Sequence, residues 1–222
     1  MSSESTFTDK DAAWLQAHQH RKVLDARVRI IGVAARDPSD DHPLVLMCYP
    51  LRTTGPASSD QALHGNRRDL RGGSKRKWMA DQPVPWPNFY WLVCPVLAHR
   101  VGRLEHLGYV QRWQQEVKTD QDLAASLAAA HREYGATRWA ALSDEDRTYC
   151  LAHEAYTAAL RDTGVGGLRF ESQIKCLHAH LSHALAGGNN PVGRRVVNAL
   201  ERAEDNAVLS SSAPTPPSVD SC

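Results

Sequence analysis

No stretch of this chain is apolar for long enough to cross a bilayer: the roughly 20 consecutive apolar residues that a membrane helix needs occur nowhere in its 222 residues. Neither sign of charge prevails. The 26 Lys and Arg residues stand against 25 Asp and Glu, for a formal net charge of +1, so no global field commits the chain to nucleic acid or to an anionic membrane. The first nine residues are polar and acidic. They lack the basic-then-apolar order of a secretory leader and the Arg-rich amphipathic pattern of a mitochondrial one. The five cysteines, at 48, 94, 150, 176 and 222, are odd in number and widely spaced. That spacing excludes a paired disulfide framework and favours reduced thiols in a cytoplasmic setting. The hydrophobic fraction of 42% is still enough for the core of one domain of ordinary size.

Hydrophobic patterning changes character along the chain. Residues 9–20 read as a short helix anchored by Trp14 and Leu15. Residues 27–35, 44–49 and 88–94 are rich in β-branched and aromatic side chains and read as three strands, the last stopped by Pro95. Strands this close together form an antiparallel sheet. From 96 onward the spacing is helical: 96–107 closed by Gly108, an Ala-rich helix over 120–142, and a helix capped by Ser143 that runs to about Asp162. A helix capped by Ser172 follows, closed by Gly187 and Gly188, and the last opens with Asn190 as cap and Pro191 in the first turn. The expectation is an α+β fold: a small antiparallel sheet of about three strands packed by four to five C-terminal helices. A helix or tail over 1–26 precedes the domain at 27–206, and a disordered Pro- and Ser-rich tail over 207–222 ends the chain.

The stretch 53–87 differs from its surroundings. It is polar and Gly-rich and carries six basic residues against one acidic over 67–77. As an inserted flexible loop it is a solvated basic surface. As a binding element it suits an RNA or protein partner, or nuclear import in place of a cytoplasmic location.

Lys175, Cys176, His178, His180 and His183 crowd into nine positions. Thiols and imidazoles are the side chains that bind transition metals at neutral pH and that do nucleophilic and acid–base work. On one continuous helix Cys176, His180 and His183 share a face and His178 points elsewhere. Cys176 and His178 meet only if Cys176 sits in an unwound first turn or a partner approaches from another element. The candidate catalytic groups are Cys176, His178, His131 and Glu105, the last being the best single carboxylate for acid–base work. Arg36, Arg52, Lys175 and Asn190 are candidates for an anion, Asn190 through the free N–H groups of the helix it opens.

Several motifs together carry a family resemblance. Gln173-Ile174-Lys175-Cys176-Leu177-His178, then His183-Ala184-Leu185-Ala186 and Asn190-Pro191-Val192-Gly193, resemble the C-terminal signature of the family called domain of unknown function 501. Pro85-Trp86-Pro87-Asn88-Phe89-Tyr90-Trp91-Leu92-Val93-Cys94-Pro95 resembles its central segment, with Val93 where Thr is usual. Arg103-Leu104-Glu105 and Ala130-His131-Arg132-Glu133-Tyr134 fit its helical parts, and Gly32-Val33-Ala34-Ala35-Arg36 its opening strand. Two departures stand out: Asp37 follows Arg36 where bacterial members carry Cys, and the long basic segment is an insertion. The resemblance implies a shared fold and a list of positions, and no activity.

Cys176, His178 and His183 are the positions that match the signature, and Cys94 at a strand end is the fourth thiol-or-imidazole group able to join them. That set suits zinc, and a thiolate-rich set suits an iron–sulfur cluster. The plainer alternative is that both cysteines are small buried groups and both histidines hydrogen-bond at the core edge. Two functions stay open: a small metal- or thiol-dependent enzyme with its site between Cys94 and the Cys176 helix, or a non-catalytic scaffold that binds a protein or RNA.

Overall fold

The computed structural model describes residues 5–18, 27–53 and 83–211; the basic run 67–77 and residues 212–222 lie outside the described residues. The architecture is α+β. Three strands pair antiparallel in the order β1 (Ile30–Arg36), β2 (Pro43–Cys48), β5 (Tyr90–Leu92), and a two-residue ribbon pairs β3 (Leu51–Arg52) with β4 (Val84–Pro85). Every residue of β2 is buried, because this central strand is covered on both faces. Val45 and Met47 turn toward the helical layer, while Leu46 packs with Val33, Val93 and Leu15 beneath the N-terminal helix α1 (Asp9–Ala17). That double burial is why the strand reads as an unbroken apolar run rather than an alternating one. The register Val45 to Leu92, Leu46 to Trp91 and Met47 to Tyr90 fixes β5, and with it the aromatic wall described below.

Helices α2 (Pro95–His106), α3 (Tyr109–Thr119), α4 (Gln121–Ala140), α5 (Asp144–Leu151), α6 (Glu154–Arg161), α7 (Leu177–Leu185) and α8 (Pro191–Ser211) follow. Among the described residues no helix is long and apolar enough to cross a membrane. The caps expected at Ser143 and Asn190 are in place. Ser143 accepts from Asp146 N–H at 3.2 Å, and Asn190 Oδ1 accepts from Gly193 N–H at 2.8 Å. Gly108, at φ 81°, ends α2 in the left-handed region that glycine tolerates.

The helical layer is divided more finely than the spacing implies. α3 is an addition, and it buries little beyond Trp113 and Val117. The helix expected from Ser143 to about Asp162 breaks at His153, which is non-helical at φ −128°, ψ 94°. The carbonyls exposed by the break are taken by side chains: Thr157 Oγ1 donates to Cys150 O at 2.8 Å, and the His153 ring to Tyr149 O at 2.8 Å.

The helix expected from Ser172 begins only at Leu177. Upstream, the backbone is held by side chains of other helices instead of by its own turns. Gln114 donates to Ser172 O at 2.8 Å and accepts from Ile174 N–H at 2.8 Å, and His131 Nε2 donates to Gln173 O at 3.0 Å. Backbone groups satisfied in this way have no need of helical partners.

Two features lock the layer around α7. Gly193 of α8 approaches so closely that a Cβ there would lie 2.3 Å from His180 O and 2.5 Å from Ala184 Cβ. Arg138 of α4 is fully buried, and its guanidinium donates to Leu160 O at 2.7 Å, to Pro87 O at 2.9 Å and to Thr163 O and Oγ1 at 2.5 and 3.0 Å. The bond to Pro87 O ties α4 to the segment that leads into β5.

Candidate active site

Cys176 is the N-cap of α7, in extended conformation at φ −153°, ψ 126°. An N-cap side chain turns back over the first helical turn, and this brings the Cys176 sulfur to His178 although the two are only two residues apart. Sγ lies 3.7 Å from His178 Nδ1. Glu105, in the last turn of α2, completes the group: its Oε1 lies 3.2 Å from His178 Nδ1 and accepts from Leu177 N–H at 2.7 Å. His178 Nε2 donates to Ala98 O at 3.0 Å. Cys176, His178 and Glu105 are all half-buried, with ligand-type atoms within 4.8 Å of one another.

The hydrogen bonds decide the charge on His178. The Ala98 carbonyl and the Glu105 carboxylate can only accept, so both ring nitrogens face acceptors and the ring is held as an imidazolium. Its pKa is raised to about 9, chiefly by the bond to Cys176, with the Ala98 carbonyl and Glu105 adding and burial opposing. The group opens onto a cavity of about 240 Å³. Cys176, His178, Ala179 and Ser182 line one side; Asn88, Tyr90, Trp91 and Leu92 line the other. Among the described residues no partner is found for the N–H groups of His178 and Ala179, which stand in the first helical turn, where no upstream carbonyl is available.

A second imidazole cluster lies deeper. His131, His180 and His183 are 3%, 0% and 2% exposed. Gly193 N–H donates to Asn190 Oδ1, so the Asn190 amide nitrogen is the donor toward the rings, 3.1 Å from His180 Nδ1 and 3.2 Å from His183 Nδ1. Val165 N–H donates to His131 Nδ1 at 3.0 Å. His131 and His183 therefore each face a donor and keep that nitrogen unprotonated, and His180 Nδ1 has both the amide nitrogen and, at 3.2 Å, the amide oxygen within reach. The pKa values follow, each lowered first by burial: His180 to about 3, His183 to about 4 with the charge of His131 adding, and His131 downward as well. His180 Nε2, which carries the proton of that neutral ring, has no partner among the described residues.

The structure thus brings together Cys176, His178 and Glu105, and it places the other candidates elsewhere. Cys94 is buried in the main core as the N-cap of α2, outside the group of converging ligand atoms. His183 also lies outside that group; its Nε2 is 3.9 Å from Glu133 Oε1. His131 spends both nitrogens on backbone partners. Arg36 pairs with Asp11 at 2.7 Å, which holds that carboxyl at about 2. Arg52 lies over the Trp86 ring at 4.9 Å, and Lys175 Nζ donates to Gly166 O at 3.1 Å. Asn190 caps α8 inside the core. None of these four lines the cavity. Asp37 accepts from Ser39 in the turn between β1 and β2.

The sequence reading had missed Tyr90, Trp91 and Leu92 as cavity wall and the Ala98 carbonyl as the anchor of His178. The aromatic run was the only signal for the first, and a backbone atom leaves no signal at all. No curated protein and no solved structure gives a significant match to the chain. The family model described as "Protein of unknown function (DUF501)" matches residues 33–198, which include the aromatic wall, Glu105 and both imidazole clusters. The chain belongs to the DUF501 family.

Proposed function

We propose that this protein is a small thiol-dependent enzyme in which Cys176 is the nucleophile. The observation that carries the reading is the 3.7 Å contact between Cys176 Sγ and His178 Nδ1 on the floor of an apolar cavity. A nucleophile, an imidazole within reach to hold its proton and a third group that orients the imidazole are the parts that covalent catalysis needs. Ala98 O and Glu105 orient the ring. The substrate that suits the site is a small acyl compound with an apolar or aromatic group to lie against Tyr90, Trp91 and Leu92. Its carbonyl oxygen would meet the first-turn N–H groups of α7, which are suited to developing negative charge. In the step itself the sulfur, its proton held by the imidazolium of His178, bonds to the carbonyl carbon; the bond to the leaving group breaks, and that proton passes from His178 to the leaving group.

The test uses p-nitrophenyl acetate as an acyl probe. The acetyl mass should appear on the Cys176 peptide, with p-nitrophenolate released, and His178→Ala should slow the step by about 10²-fold or more. Acetylation spread evenly over the cysteines, or a rate indifferent to His178→Ala, would overturn the reading.

A further inference from the structure

Three ligand-type atoms that converge on one point can also hold an ion. We infer that Glu105, Cys176 and His178 form a binding site for one divalent ion of the zinc class, with its fourth position turned to the cavity.

His178 is already held from behind. His178 presents Nδ1 to the other two groups and gives Nε2–H to the Ala98 carbonyl at 3.0 Å. Metal-binding imidazoles make this kind of outer bond, which fixes the ring plane, and the opposite nitrogen becomes the ligand as the incoming ion displaces its proton to solvent.

The spacing also suits an ion. Around a tetrahedral zinc, ligands at about 2.0–2.3 Å stand about 3.3–3.6 Å from one another. Here His178 Nδ1 lies 3.2 Å from Glu105 Oε1 and 3.7 Å from Cys176 Sγ, so an ion enters with little rearrangement.

The donor atoms select the class of ion. Thiolate, imidazole and carboxylate together favour zinc and its neighbours, whereas magnesium and calcium take oxygen ligands. The ligands come from the end of α2 and the start of α7, two helices already packed together, so the site needs no other element.

Three protein ligands and one open position make a site that an ion can enter and leave. An ion there occupies the sulfur and removes it from thiol chemistry. That regulatory consequence rests on the thiol reading above; the binding itself does not. The rival location is the turn that brings half-buried Asp37, exposed Asp40 and half-buried His42 together, where Ser39 and His42 already engage the two carboxylates.

The experiment titrates the reduced, chelator-treated full chain with Zn²⁺ and separately with Co²⁺. The wild-type chain should bind a single equivalent, and its Co²⁺ form should show near-ultraviolet thiolate-to-metal absorption that is lost in Cys176→Ser. Affinity should fall by about tenfold or more in Glu105→Gln and His178→Ala and hold steady in Asp40→Asn. Glu105→Gln retains an acceptor for Leu177 N–H and so guards against a result that merely reports unfolding. Affinity that survives all three substitutions at Glu105, Cys176 and His178, or that is lost only in Asp40→Asn, would overturn the site. Iodoacetamide labelling of the same samples separates the two ideas. If Zn²⁺ binds while Cys176 in the metal-free protein labels no faster than in His178→Ala, the thiol reading falls and the ion site stands. Fast, His178-dependent labelling with no Zn²⁺ bound gives the reverse.

Discussion

His178 and His183 belong to the same nine-residue helix, yet their imidazoles are held in opposite states. At the start of α7 the ring faces a carbonyl and a carboxylate and sits beside a thiol, so it is charged and half-exposed. At the end of α7 the ring faces the Asn190 amide, lies among Tyr90, Tyr134 and its fellow histidines, and is neutral and buried. Burial disfavours charge in both places; the hydrogen-bond partner decides the outcome. The bond to Cys176 and the acceptors on both nitrogens overcome desolvation at His178, whereas at His183 burial prevails, with the charge of His131 adding to it and, among the described residues, only the Asn190 amide within hydrogen-bond reach. Histidine density in the sequence therefore merges two things that the structure separates: a charged, half-exposed imidazole at the cavity rim and a neutral, buried polar cluster beneath it.

The sharpest way to break this comparison is to remove Asn190. Its amide satisfies His180 and His183, and its oxygen caps α8. Asn190→Ala loses a cap worth about 1 kcal/mol and strands two buried ring nitrogens at about 1–3 kcal/mol each. We expect a loss of about 4 kcal/mol in urea unfolding at unchanged m-value. A loss below about 1 kcal/mol would show that water or a repacked ring replaces the amide, and the deeper cluster would no longer count as structural.

A smaller effect follows from pH. His183 has a folded pKa of about 4 and an unfolded value near 6.5, so the unfolded chain binds more protons between these values and stability rises with pH there. The contribution is complete above about pH 6.5 and is lost as pH falls toward 4. The groups facing the ring are Glu133 at 3.9 Å, which favours the charged form and tempers the shift, and Tyr90, Tyr134 and the Asn190 amide, which do not. At about 1.4 kcal/mol per pKa unit, the chain should lose about 2–3 kcal/mol through this ring between pH 7 and 4.5, and His183→Gln should flatten that slope. An unchanged slope in the variant would place the acid sensitivity elsewhere.

Much of the fold was legible because its causes are local. The strands announce themselves by β-branched and aromatic runs, Ser143 and Asn190-Pro191 announce helix starts, and Gly108 announces a stop. What escaped was fixed by distant partners. The helix expected to be capped by Ser172 is capped four residues later, at Cys176, because Gln114, His131 and Glu105 claim its backbone groups. The break at His153 depends on side chains that find carbonyls only after folding. The site shows the same division. Cys176, His178 and Glu105 could be named as chemistry-bearing residues, and the condition for Cys176 to meet His178, an unwound first turn, could be stated. Which histidine would be charged could not, since the deciding partners include backbone groups, Ala98 O at His178 and Val165 N–H at His131, which no side-chain pattern marks.

The smallest expected effect is the most telling about function. Glu105→Gln keeps an oxygen for Leu177 N–H and removes only the ion pair with His178, whose partners are 30% and 31% exposed. Pairs so accessible to water contribute at most about 1 kcal/mol, so the urea midpoint should move slightly, by far less than in Asn190→Ala. Groups kept for chemistry at a rim owe little to packing, and the fold does not depend on them. If Glu105→Gln cost as much as Asn190→Ala, the rim cluster would be a structural brace like the one beneath it, and the case for a reactive Cys176 would lose its footing. A small stability change together with slowed labelling of Cys176 would instead separate the two clusters by role, the upper one reactive and the lower one supporting.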